Sequence, residues 1–377
     1  MTKLVLLWLD AFSDRYLNPE LCPFLWNLSR KCFFAKIQPL FAYKGIKYCF
    51  EYGASLKELG VWNDHVFAGF DVLDKAKNGL TKKFLKFIDR ISPSDDWNKL
   101  FRFLLFKLAG MEYGTPHLIP ADLIDVFPTP KISFKRKSLY EILEENGVKY
   151  LRKEPKLNIS EAALIKKIPK FLKYYDALFF KFNSLDRLGH KCGPLSNIVR
   201  QRVRFLDKIT GELVPKLGKD AVLIIMSDHG MVPVMHHFDL TGFLRSKAFE
   251  FGKHYIAFVG ATYASFWFRN KKLEDAIMQE LSTLKVGKFL TLNDKVKLGI
   301  DNTGREYGEE IFAVKECNVF FPEFYHARKH PKGMHGYAFS KYDTPIFLMC
   351  SDKCIGIEAN IINFVHIKPI ILRLLDL

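Results

Sequence analysis

The chain has 377 residues, 49% of them apolar, with 57 Lys and Arg against 41 Asp and Glu and a formal net charge of +16. That length and apolar content suffice for one large α/β domain with insertions, or for two domains. The charge predicts attraction to anionic partners such as phosphates or an acidic lipid surface; it is dispersed and carries no nucleic-acid-binding signature, so nucleic acid is the less favoured partner.

Seven cysteines form no CxxC pair and no zinc-ribbon spacing. An odd, scattered set fits a reducing compartment better than a disulfide framework, so a cytoplasmic location is expected. No run of 18 apolar residues reads as a membrane-spanning helix. The opening KLVLLWLDAF (3–12) is interrupted by Asp10 and reads as a first strand, not as a signal peptide.

CPFLWNLSRK (22–31) follows as a helix. Residues 72–130 look like an addition, a basic helical insert with nine Lys and Arg against four Asp between Val72 and Ala109. Two placements are open for it: a hairpin buried against the sheet with its basic edge in water, which is favoured, or a surface lying on an anionic membrane. SLYEILEENGVKYL (138–151) reads as a further helix. ALFFKFNSLDRLGH (177–190) is a strand running into an Asp and His loop. LSNIVRQRVRFLDKITGELV (195–214) carries a helical apolar stripe. AVLIIMSDHGM (221–231) is a central strand that ends on Asp228 and His229. Residues 250–330 form a smaller α+β cap, and MHGYAFSKYDTPIFLMC (334–350) places His335 before the last long strand.

Strands alternating with helices predict a doubly wound, mostly parallel α/β sheet. Its core would comprise 1–71, 131–249 and 331–377, interrupted by the insert and the cap. In such sheets ligands bind beyond the carboxyl ends of the strands. Asp10, Asp186, His190, Asp228, His229 and His335 all fall there, and mixed carboxylate and imidazole sets suit zinc or manganese.

The order Asp10, Asp186-x3-His190, Asp228-His229-Gly230-Met231, His335-Gly336 resembles the alkaline phosphatase superfamily, especially its nucleotide pyrophosphatase/phosphodiesterase branch. "DRLGHKCGP", "SDHGM" and "MHGY" carry the likeness. It implies two divalent metal ions, one held by Asp186, His190 and His335 and the other by Asp10, Asp228 and His229. It also implies hydrolysis of a phosphodiester or pyrophosphate in a nucleotide, a nucleotide sugar or a lipid-linked substrate. His236 and His237 have no counterpart as ligands.

The pattern breaks at the nucleophile. The position where the family places Ser or Thr falls on Tyr43 or Lys44, and no Ser or Thr lies between 30 and 54. Lys44 would hold a phosphate as a point charge, or fill charge space that a metal would otherwise take. Three readings stay open. A hydrolase uses Tyr43 or a water in place of Ser or Thr; or the protein binds metal and a phosphorylated ligand without efficient turnover; or the alignment is shifted and Ser55 serves.

Overall fold

The computed structural model describes all residues except 1, 43, 64, 76–79, 109–117, 129, 131–133, 155–160, 219, 343 and 352–358, and omits the side chains of 80–82, 105–108 and 122. Seven strands form the main sheet: β1 (Lys3–Leu9), β2 (Phe33–Ile37), β3 (Tyr150–Lys153), β4 (Ala177–Phe182), β5 (Ala221–Met226), β6 (Ile346–Cys350) and β7 (Ile361–Ile362). Their order is β7-β2-β6-β5-β1-β4-β3. β6 runs antiparallel to both neighbours and every other pairing is parallel, so the expected mostly parallel α/β sheet is the one observed.

The central strands are apolar on both faces because helices cover both. Along β1, Leu4, Leu6 and Trp8 enter one core, while Val5, Leu7 and Leu9 enter the other. The second core includes Val199, Val203 and Leu206 from the helix Asn197–Leu213. Ser196 caps that helix by accepting from Val199 N, which satisfies one of its free backbone donors.

A second sheet of four antiparallel strands lies within 255–314, in the order 287–289, 310–314, 263–268, 255–259.

Two readings of the sequence need correction. Cys32 and Cys350 are bonded as a disulfide, with Cα atoms 5.0 Å apart. Antiparallel register makes them opposite residues, one step beyond the Phe33 and Met349 pair. Spacing along the chain cannot reveal such a pair, and the disulfide removes one ground for expecting a reducing compartment. The insert differs as well. Its helices Leu80–Ile91 and Asp95–Leu108 bury Leu85 and Ile88 on an inner side. There Arg102 binds Asp89 through Nη2 at 2.6 Å and the Ile119 carbonyl through Nη1 at 2.6 Å. Phe84, Phe87, Ile91, Trp97, Leu100 and Phe103 are exposed instead of buried, because the described residues cover only that inner side. No helix among the described residues is long and apolar enough to cross a membrane.

Candidate metal and phosphoester site

Leu9 pairs with Phe182, and Trp8 with Met226, so β1, β4 and β5 end together on one edge of the sheet. Three chain segments leave that edge carrying chemistry. Asp10 follows β1 directly. Ser227, Asp228 and His229 follow β5, and Ser227 is buried between two strand ends, donating to Phe12 O at 2.7 Å and accepting from Ile346 N at 2.8 Å. After β4 the helix Ser184–Cys192 begins, with Asp186 and His190 one turn apart on one face. Glu161 anchors its start, accepting from Ser184 N at 3.1 Å and Ser184 Oγ at 2.7 Å.

His335 arrives from the strand Gly333–Met334, which pairs with Val232–Pro233. Gly333 is required there: a Cβ would lie 2.6 Å from Gly189 O. The close approach lets His190 Nδ1 reach Gly333 O at 2.8 Å. His229 Nδ1 likewise meets Gly230 O at 2.8 Å. A neutral ring whose Nδ1 donates to that carbonyl would present Nε2 to the cleft as an acceptor.

Asp186, His190 and His335 converge tightly. The edges of the triangle formed by Asp186 Oδ1, His190 Nε2 and His335 Nε2 are 3.2, 3.2 and 3.6 Å. Ligands at tetrahedral angles about 2.0–2.1 Å from zinc stand about 3.3 Å from one another, so this triangle has the size of one face of a zinc site.

The other half is arranged differently. Asp10 Oδ1 lies 3.2 Å from His229 Nε2, and the donor atoms of Asp10, Asp186 and His229 all fall within 4.8 Å of one another. Asp228 faces Lys181, whose Nζ is 3.0 Å from both Asp228 Oδ2 and Asp10 Oδ2. Asp228 Oδ1 also accepts from Ala11 N at 3.3 Å and His229 N at 3.1 Å. Ala11 has a φ of 63°, a left-handed conformation that costs a non-glycine residue about 1–3 kcal/mol and recurs at functional sites. The rings of His229 and His335 stack, with centroids 3.6 Å apart and planes 9° apart.

The electrostatics follow from burial and close charges. Burial and the neighbouring Asp228 push Asp10 up to about 6, against the pull of Lys181. Burial opposes ionisation of Asp228 too, but His229 and Lys181 hold it well below the usual carboxylate range. Burial, His229 and His190 drive His335 far down, keeping it the neutral imidazole that a metal needs. For His190 burial lowers the pKa, and Asp186 raises it by more.

The six predicted residues therefore meet in one cleft of about 560 Å³. Lys44 lines it, with Nζ 5.6 Å from the centre of the Tyr325 ring. Tyr43 lies outside the described residues. His236 is exposed, and His237 Nε2 meets Pro331 O at 3.3 Å, apart from both donor groups. Three contributors escaped the sequence reading. Lys181 was signalled only by a lone cation in an apolar strand. His326 lines the cleft with its Nδ1 2.6 Å from Glu323 Oε1, and Glu161 sits in a segment without a motif.

An α/β sheet with carboxylates and imidazoles gathered at its carboxyl edge is the arrangement expected of a metal-dependent phosphoester enzyme of the alkaline phosphatase superfamily. Residues 128–338, more than half of the chain, match the type I phosphodiesterase/nucleotide pyrophosphatase family, and the chain belongs to it. The fold is similar to that of human ectonucleotide pyrophosphatase/phosphodiesterase 5, with TM-score 0.69 and 15% identity over 100% of this chain and 95% of that one. The murine counterpart, solved in an inactive form in complex with AMP, gives TM-score 0.67 and 14% identity over 100% and 96%. By sequence, GPI ethanolamine phosphate transferase 2 of Yarrowia lipolytica is 30% identical over 106 residues, 28% of this chain and 10% of that protein. The Kluyveromyces lactis protein of that name is 29% identical over 65 residues, 17% of this chain and 8% of that protein. The alignments thus span a tenth or less of these relatives' length.

Proposed function

We propose that the cleft binds one or more divalent metal ions, zinc or alternatively manganese, and cleaves a phosphodiester or pyrophosphate bond. The observation that carries this is the Asp186, His190 and His335 triangle, whose 3.2–3.6 Å edges match a zinc coordination face. A divalent ion there would supply Lewis-acid polarisation of a phosphoryl oxygen. Lys44 offers its ammonium to a second phosphoryl oxygen as a point charge. A water attacks phosphorus as the ester P–O bond breaks, and His326, fixed by Glu323, passes a proton to the leaving-group oxygen, replaced by one from the attacking water.

Among nucleotide, nucleotide-sugar and lipid-linked substrates, a lipid-linked phosphodiester is preferred. The exposed apolar face of the insert adjoins Lys99, which lines the cleft. A basic chain with such a face suits an anionic membrane surface. The relatives' name, an ethanolamine phosphate transferase acting on GPI, supports the same class.

A second reading is favoured by one observation, the missing Ser or Thr between 30 and 54. On that reading the cleft binds a phosphorylated ligand and metal without efficient turnover. Hydrolysis of an aryl phosphodiester by zinc-loaded protein, with Asp186→Ala alongside, separates the two. Turnover lost in the variant is the expected result. No turnover from protein that holds zinc would leave only the binding reading.

A further inference from the structure

Lys181 distinguishes the two halves of the cleft. It is the fifth residue of β4, in the otherwise apolar run ALFFKF. Its partly buried ammonium stands between Asp10 and Asp228, 3.0 Å from an oxygen of each, and 5.0 Å from the centre of the Trp8 ring. The other oxygen of Asp228 is engaged by two backbone N–H groups. Asp228 thus meets an ammonium at 3.0 Å through one oxygen, while the other stands 3.8 Å from His229 Nε2.

We propose that Lys181 is a built-in cation standing in for a second metal ion, so that each chain holds one divalent ion, bound by Asp186, His190 and His335. The proposal rests on the metal-dependent reading given above.

Charge and geometry agree on this. Asp10, Asp186 and Asp228 supply three negative charges. One divalent ion and one ammonium balance them, whereas two divalent ions beside the ammonium would leave a largely buried cluster at +2, a costly state. A second divalent ion would need a further anion, such as a Ser or Thr alkoxide, and no Ser or Thr lies between 30 and 54. The other group of converging donors, Asp10, Asp186 and His229, shares Asp186 with the first group. An ion placed there would compete for that carboxylate and face the Lys181 ammonium across Asp10. A tethered cation also behaves unlike a metal: chelators cannot remove it.

The test is zinc stoichiometry, measured by metal analysis after equilibrium dialysis of the full chain. Wild type is expected to hold one zinc, His190→Ala none, and Lys181→Ala two. The second zinc of Lys181→Ala should disappear when Asp228→Ala is added. Two zinc ions in wild type, or an unchanged single zinc in Lys181→Ala, would overturn the proposal. If Lys181→Ala does not fold, the wild-type count still decides, since two zinc ions per chain contradict it. Turnover is scored separately. One zinc without hydrolysis supports this proposal and defeats the hydrolase reading; two zinc ions with hydrolysis do the reverse.

Discussion

The two halves of the cleft are built from the same residue types and differ in what they can hold. Around His335, donor atoms sit 3.2–3.6 Å apart, the spacing of ligands on one face of a zinc site. Around Asp228 the carboxylates are turned to Lys181. Ligand-type residues at strand ends define a polar site, and on the proposed reading a single neighbouring cation decides whether that site is open to a metal.

The largest effect should come from the ligands themselves. Apparent zinc-site energies of roughly 10–16 kcal/mol shared among about four ligands put the loss of one at about 100-fold or more in affinity. His335→Ala should show that loss in competition with a chromophoric chelator, whereas Asp228→Ala should cost less, because Asp228 meets the Lys181 ammonium and is not one of the three converging donors. Equal losses would erase the distinction between the halves.

The anchors come next. Glu161→Ala leaves Ser184 N buried without its acceptor, which costs about 1–3 kcal/mol. Denaturant unfolding should register that cost, and zinc affinity should fall with it because Glu161 seats the helix carrying Asp186 and His190. Ser227→Ala removes two buried hydrogen bonds on the other side, at a similar cost of about 1–3 kcal/mol in stability. Its zinc affinity should stay near wild type. A Ser227→Ala protein that bound zinc as poorly as Glu161→Ala would break the comparison.

The smallest effect is in pH. Burial lowers the His190 pKa, but Asp186 raises it further, so the net shift is upward. A metal must displace that proton. Zinc affinity should therefore rise with pH while His190 remains protonated and level off once it is neutral, as calorimetry in buffers of different ionisation enthalpy can measure. Affinity independent of pH would mean that His190 does not bind the ion.

Much of this was legible in the sequence, because parallel strands bury both faces and deliver their carboxyl ends to one edge. Asp10, Asp228 and His229 each announce themselves as polar residues after an apolar run, and Asp186 and His190 by standing four residues apart, though in a segment read as a loop that is a helix. What stayed hidden depends on register and on tertiary approach. Cys32 meets Cys350 through antiparallel pairing across the whole chain. His190 is oriented by a carbonyl at Gly333, reached only because two glycines touch. Lys181 looks like an ordinary cation at the end of a strand until its distances to Asp10 and Asp228 are known. The insert misled because its apolar circumference implied burial, yet its outer residues are exposed.

The most direct test of the account is a crystal structure of zinc-loaded protein with anomalous data collected at the zinc edge. The account predicts one peak per chain, about 2.0–2.2 Å from Asp186, His190 and His335, with the Lys181 ammonium still between Asp10 and Asp228. A second peak between Asp10 and Asp228, or no peak at the His335 triangle, would contradict it.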